Sequence, residues 1–216
     1  MRLVTLQRQL ERIYEIEIPH DVDDFVITDR VVARSIEGDD ARDAPEKLLV
    51  RQSGDEVDIA LYLDREVVER LGRDDPNDHL HGGNFADLCT ALEGVSHFLY
   101  LAWNAGHDRG VSLLELEMQA EVDKYVTTAF LFGAQEQGRV PGWLHRRLFE
   151  DASFDSQLDE TELARYRDAN RYASRFCSHL ESRYLRGTGE PGLMNELRRF
   201  YRLPQRAKIR RIEGTR

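Results

Sequence analysis

The sequence predicts an α+β protein, mainly α, with a small N-terminal part holding a β-hairpin and a C-terminal bundle of about five helices. Three observations carry that expectation. Val57, Ile59, Leu61 and Leu63 alternate with Asp58, Ala60 and Tyr62, the period of a half-buried strand. From Asn84 onward the apolar residues recur at spacings of three and four, the period of helices packed on one face. Between the two lies Arg73 to Gly83, a polar break ending in two glycines, which divides the chain into residues 1–78 and 79–216.

The elements follow in order. Leu3, Leu6, Leu10 and Ile13 form a narrow helical stripe, suited to self-association or to packing on the chain's own body. Ile16 and Ile18 alternate with acids ahead of Pro19, so the helix gives way to extended chain. Phe25-Val26-Ile27 reads as a short strand, and Thr28-Asp29 as the cap of a helix through Ile36. Glu37 to Ala44 has the composition of a loop. Lys47 to Gln52 and Val57 to Leu63 flank Ser53-Gly54-Asp55-Glu56 as a hairpin, and Asp64 caps a helix from Arg65 to Leu71. The expected bundle helices are Asn84 to Asn104, Ser112 to Gln137, Pro141 to Glu150, Glu160 to Arg186 and Pro191 to Tyr201. Gly187-Thr188-Gly189 forms the last break.

The bulk chemistry excludes several classes. Apolar residues make up 41%, enough for a core, and no apolar run approaches the roughly 18 residues of a membrane span. The first residues lack a signal-peptide core, which with the mean hydropathy of -0.57 points to a cytoplasmic protein. Cys89 and Cys177 are too few and too far apart for a disulfide framework or a zinc motif, and read as small core residues. The net charge of -10 repels nucleic acid and anionic membranes. The charge is uneven, however: Arg198, Arg199, Arg202, Arg206, Lys208, Arg210, Arg211 and Arg216 crowd the last twenty residues beside a single acid, Glu213. The preference for Arg over Lys is what a GC-rich bacterial genome encodes.

Two constellations could carry chemistry. In the Asn84 helix Glu93 and His97 sit four apart, on one side, nearly opposite the apolar face formed by Leu88, Leu92, Val95 and Leu99. In the Ser112 helix Glu121 falls inside the apolar stripe of Leu114, Met118, Val122 and Phe132, with Glu117 at its edge. A carboxylate on an apolar face is costly unless paired or coordinated. If the two helices form an antiparallel hairpin, Glu93, His97, Glu117 and Glu121 converge, with His179 or Glu181 from a third helix. That mixed oxygen and nitrogen set suits a divalent transition metal such as zinc, manganese or iron. The plainer expectation is that Glu93 and His97 face water and that Glu121 pairs with Lys124, Tyr125 or an Arg. His79-Leu80-His81-Gly82-Gly83 reads as a linker, since it lacks the Lys-Ser/Thr of a phosphate loop.

The second constellation is the tail: Arg198, Arg199, Arg202, Arg206, Arg210 and Arg211, interleaved with Phe200 and Tyr201. Such a segment docks on an acidic surface of its own chain, meets a protein partner, or binds single-stranded nucleic acid. Three functions follow. The chain is a non-enzymatic interaction or regulatory protein with a protein partner or a second copy of itself. Alternatively it is a metal-dependent hydrolase or oxidoreductase using Glu93, His97, Glu117 and Glu121, or a nucleic-acid accessory protein acting through its tail. The first is the leading expectation, because no complete catalytic motif is present.

Overall fold

A computed structural model describes residues 1–38, 42–54, 56–185 and 191–214. It is 64% helical with one small sheet, the mainly α form of α+β expected from the sequence. The centre of the expected loop at Glu37 to Ala44, the Gly187-Thr188-Gly189 break and Arg216 lie outside the described residues.

Helix α1 (Leu3–Tyr14) buries the whole Leu3, Leu6, Leu10, Ile13 stripe on its own body, against α4 and α7 defined below. A turn of 3-10 helix (Val22–Phe25) leads into strand β1 (Val26–Ile27). Helix α2 (Arg30–Glu37) starts at Asp29, whose carboxylate accepts from the Val31 amide at 2.8 Å. Strands β2 (Glu46–Ser53) and β3 (Glu56–Leu63) form the expected hairpin, Leu48 opposite Leu61 and Val50 opposite Ile59. β1 adds to β3 in parallel, so the order is β1-β3-β2 and β2 is an edge strand. Asp64 caps α3 (Arg65–Arg73).

Among the remaining described residues every regular element is helical, as the spacing predicts. The helices include α4 (Phe85–Ala105), α5 (Leu113–Gln135), α6 (Glu160–Leu180) and α7 (Leu193–Arg202). Two π-helical turns, Arg146–Glu150 and Glu181–Leu185, stand where the sequence suggests ordinary helix. A further helix, α8 (Gln205–Gly214), follows Pro204, whose carbonyl accepts the first-turn amides of Ala207 and Lys208. Ser112 caps α5, and a reciprocal Asp159 and Glu162 capping box opens α6.

The main core runs from Leu3 to Ile212 and includes residues on both sides of the turn at residues 73–84. Its axis is α4, which touches α1, α3, α5 and both long strands. This central position gives α4 more than one buried face. His97 is accordingly 7% exposed and does not face water.

Candidate functional site

Helix α4 carries its chemistry on the side that meets the sheet and the start of α5. Gly94 makes this approach close: a Cβ there would stand 2.7 Å from Leu61 Cδ1 and 2.9 Å from Glu46 Cγ. The first residue of β2 therefore lays its side chain against α4, one helical turn before His97. His97 ends between two carboxylates, Nδ1 3.5 Å from Glu46 Oε1 and Nε2 3.4 Å from Glu117 Oε2. Burial alone works against a charged imidazole, but Glu117 and Glu46 together outweigh it and raise the His97 pKa well above the usual range. As an imidazolium it offers an N–H toward each carboxylate; as a neutral ring it would turn a lone pair toward one of them. Burial also raises the Glu46 carboxyl, with His97 opposing.

These three residues line a cleft of about 740 Å³, a volume within the ordinary range of ligand sites. One wall is β2, contributing Glu46, Lys47, Leu48, Leu49 and Val50. The other is the start of α5 and the first turns of α6, with Glu162, Arg165 and Tyr166. Ion pairs crowd the rim: Lys47 with Glu37 at 2.5 Å, and Arg42 with Glu162 at 3.2 Å. Four buried atoms of the lining make no hydrogen bond of good geometry among the described residues: Arg42 Nε, Arg165 Nε, His97 Nε2 and Glu46 Oε1. Three of them face an opposite charge: Arg42 Nε lies 3.7 Å from Asp155, and His97 and Glu46 stand in the pairs above.

The other two members of the sequence-derived set, Glu93 and Glu121, turn away to a separate cluster. Lys124 Nζ donates to Glu121 Oε1 at 2.8 Å and to Glu93 Oε2 at 3.0 Å. This is the Glu121 and Lys124 pairing offered as the plainer expectation. Burial resists ionisation of all three groups, yet the two carboxylates hold the Lys124 ammonium well above its ordinary pKa. Lys124 in turn keeps Glu93 below the carboxylate range, while burial wins at Glu121 and raises it. His179 packs near the Tyr184 ring and is not part of the cleft wall. Among the described residues no group of three or more His, Cys, Asp or Glu is arranged to hold a metal ion. No protein family, curated protein or solved structure matches the chain.

A second buried polar network joins α1, α4, α5 and α8. Asp123 accepts from Ser96 Oγ at 2.6 Å, from Gln119 Nε2 at 2.8 Å and from the Tyr14 hydroxyl. Lys208, fully buried, donates to Gln119 Oε1 at 2.6 Å and stands 4.4 Å from the centre of the Tyr100 ring and 4.9 Å from that of Phe200. Burial pushes Asp123 up to about 6 and Lys208 down to about 7.

The tail arginines divide into two groups. Arg202 donates to the carbonyls of Tyr14 and Glu15, and Arg198 to that of Ile13, so both satisfy the otherwise open C-terminus of α1. Arg211 pairs with Glu196. Arg199, Arg206 and Arg210 are exposed. The loop at His79 to Gly83 is held by Asn84, which donates to the His79 carbonyl and accepts from the His81 amide, both at 2.9 Å. Burial pushes the Cys89 thiol up to about 12 and raises that of Cys177 as well, which suits two inert core residues.

Proposed function

We propose that this protein is a non-enzymatic interaction protein whose binding site is the cleft between β2 and the starts of α5 and α6, with His97 at its inner end. The observation that carries the reading is the buried Arg165 Nε in the cleft wall, which has no hydrogen-bond partner among the described residues. An unsatisfied buried polar group costs about 1–3 kcal/mol, more when charged, and folds keep such groups where a ligand completes them. Arg165 Nε is an N–H donor on a cationic group, so the complementary ligand brings acceptor oxygens.

The test needs no knowledge of the ligand. Arg165→Met keeps the aliphatic stem and removes the guanidinium group. If this group is held in readiness for a ligand, the variant keeps or gains stability in urea unfolding. A loss of about 2 kcal/mol or more would assign the guanidinium group to the fold and overturn the reading.

A metal-dependent reading keeps Glu46, His97 and Glu117 as its nearest donors, because Lys124 engages Glu93 and Glu121. It predicts a stoichiometric transition metal in the purified protein that disappears in His97→Ala.

A further inference from the structure

We infer that the cleft receives an extended peptide segment of another protein, added as a strand to the outer edge of β2, with an acidic side chain reaching Arg165. The inference rests on the cleft being the binding site and names the class of ligand.

The lining of the cleft points to a strand. Successive side chains of a β-strand point to opposite faces, so a groove over one face meets every second residue. Here Glu46, Lys47, Leu48, Leu49 and Val50 all line the cleft. Leu48 also packs on the main core, whereas Leu49 belongs to the small cluster beneath α2 with Ala33 and Tyr62. Residues of both faces meet one groove only where that groove runs along the strand's edge. That edge is open. β2 pairs with β3 on its inner side, and among the described residues the backbone of Glu46 to Val50 makes no hydrogen bond outside that pairing. An open edge with its row of alternating N–H and C=O groups is a template for one more strand.

The walls choose the occupant. The edge faces Glu162, Arg165 and Tyr166 of α6 across the cleft, an arrangement that suits a single extended segment laid between the two walls. The unpartnered Nε atom of Arg165 supplies the side-chain preference, since a carboxylate accepts from it. Arg42 is already engaged, with Glu162 at 3.2 Å and, through Nε, with Asp155 at 3.7 Å, whereas Glu162 lies 3.8 Å from Arg165 Nη2 and leaves the Arg165 Nε unused.

The experiment is selection of a display library of random linear ten-residue peptides on the full chain. Enriched peptides are then synthesised in three forms: as selected, with each acid changed to its amide, and with alternate backbone nitrogens methylated. The expected result is enrichment of Asp or Glu and slowed amide exchange at Lys47 to Val50 on binding. Loss of affinity of tenfold or more is expected from the amide form, from Arg165→Met and from one of the two methylation patterns. Acid-to-amide change and Arg165→Met should not add, because they remove one interaction. The inference is overturned if the library returns no binder, or if binders leave β2 exchange unchanged or tolerate methylation at every position. Either outcome with Arg165→Met still at full stability removes the peptide alone and leaves the cleft reading standing. A destabilised Arg165→Met variant removes the parent reading instead.

Discussion

Gly94 and Glu46 touch where any larger residue would collide: a Cβ on Gly94 would lie 2.9 Å from Glu46 Cγ and 3.1 Å from Glu46 Oε1. The glycine in the middle of α4 therefore decides whether β2 can place a carboxylate beside His97. Overpacking of this kind costs about 1–3 kcal/mol, partly offset by the better helix propensity of alanine, worth about 1 kcal/mol. Gly94→Ala is expected to lose stability in urea unfolding. Displacing Glu46 also removes one of the two carboxylates that favour the imidazolium, so the His97 pKa falls. An NMR titration of the His97 ring reads that change directly. An unchanged titration would show that Glu117 alone sets it.

The Asp123 and Lys208 network gives stability a minimum in pH. The native state holds the Asp123 proton up to about pH 6, whereas an ordinary Asp releases it near 3.8. The folded form thus binds more protons across that window, and this contribution to stability falls as pH rises from about 4 to 6. Lys208 behaves in the opposite way. It gives up its proton near 7 when folded, against 10.5 ordinarily, so the unfolded chain binds more protons and stability recovers as pH rises above 7. Urea unfolding across pH should show the lowest contribution between about 6 and 7. Lys208→Met should flatten the alkaline rise and Asp123→Asn the acid-side fall. A tenfold change in proton affinity is worth about 1.4 kcal/mol, so each limb is on the order of a few kcal/mol.

Lys124 separates two carboxylates that would otherwise face each other across α4 and α5. Removing one partner of a buried charge cluster costs about 3–5 kcal/mol, because the remaining charges stay buried. Lys124→Ala is expected to lose that much at neutral pH. Below about pH 4 much of the loss should return, as Glu93 and Glu121 take up protons and their repulsion ends. A loss independent of pH would mean that the lysine stem, and not its charge, supports the packing. Elemental analysis of the wild-type chain belongs beside this measurement. With an ammonium already between Glu93 and Glu121, no stoichiometric zinc, manganese or iron is expected.

The fold was largely legible in the sequence, and the site only in part, for identifiable reasons. The hairpin is written in a strict period of two, and α1 in spacings of three, four and three; Asp29, Asp64 and Ser112 stand where helix caps belong. Helix α8 was hidden because Pro204 reads as a break, although a proline is well tolerated where a helix begins. Lys208 was hidden because a lysine in a basic run reads as surface. A helical wheel with one apolar face puts His97 in water, but α4 is packed by the sheet on one side and by α5 on another, so the wheel has no free face there. Glu46 escaped notice because it stands about fifty residues from His97 in the chain. Its one signal was Gly94: a glycine inside a long helix marks a place where another element comes close.

The tail separates into structural and free arginines, and substitutions should separate them too. Arg202 donates to Tyr14 and Glu15 carbonyls that have no helical partner at the end of α1. Arg202→Ala should therefore cost about 1–3 kcal/mol in thermal or urea unfolding. Arg199, Arg206 and Arg210 point outward, and changing all three to Gln should leave stability within about 0.5 kcal/mol per position. That triple variant is the proper test of nucleic-acid binding, because a chain stopped at Pro204 also loses Lys208 and Ile212 from the core and is expected to unfold. If the exposed arginines hold phosphates, log affinity for single-stranded RNA falls with log salt, and the triple variant lowers that slope by about 0.7 for each phosphate left without its arginine. With half of the six arginines committed to α1 and Glu196, and a body charge that repels the polyanion, the expected outcome is no measurable binding near physiological salt by either protein. Binding that is steep in salt and lost in the triple variant would instead make the tail an RNA-binding surface in its own right.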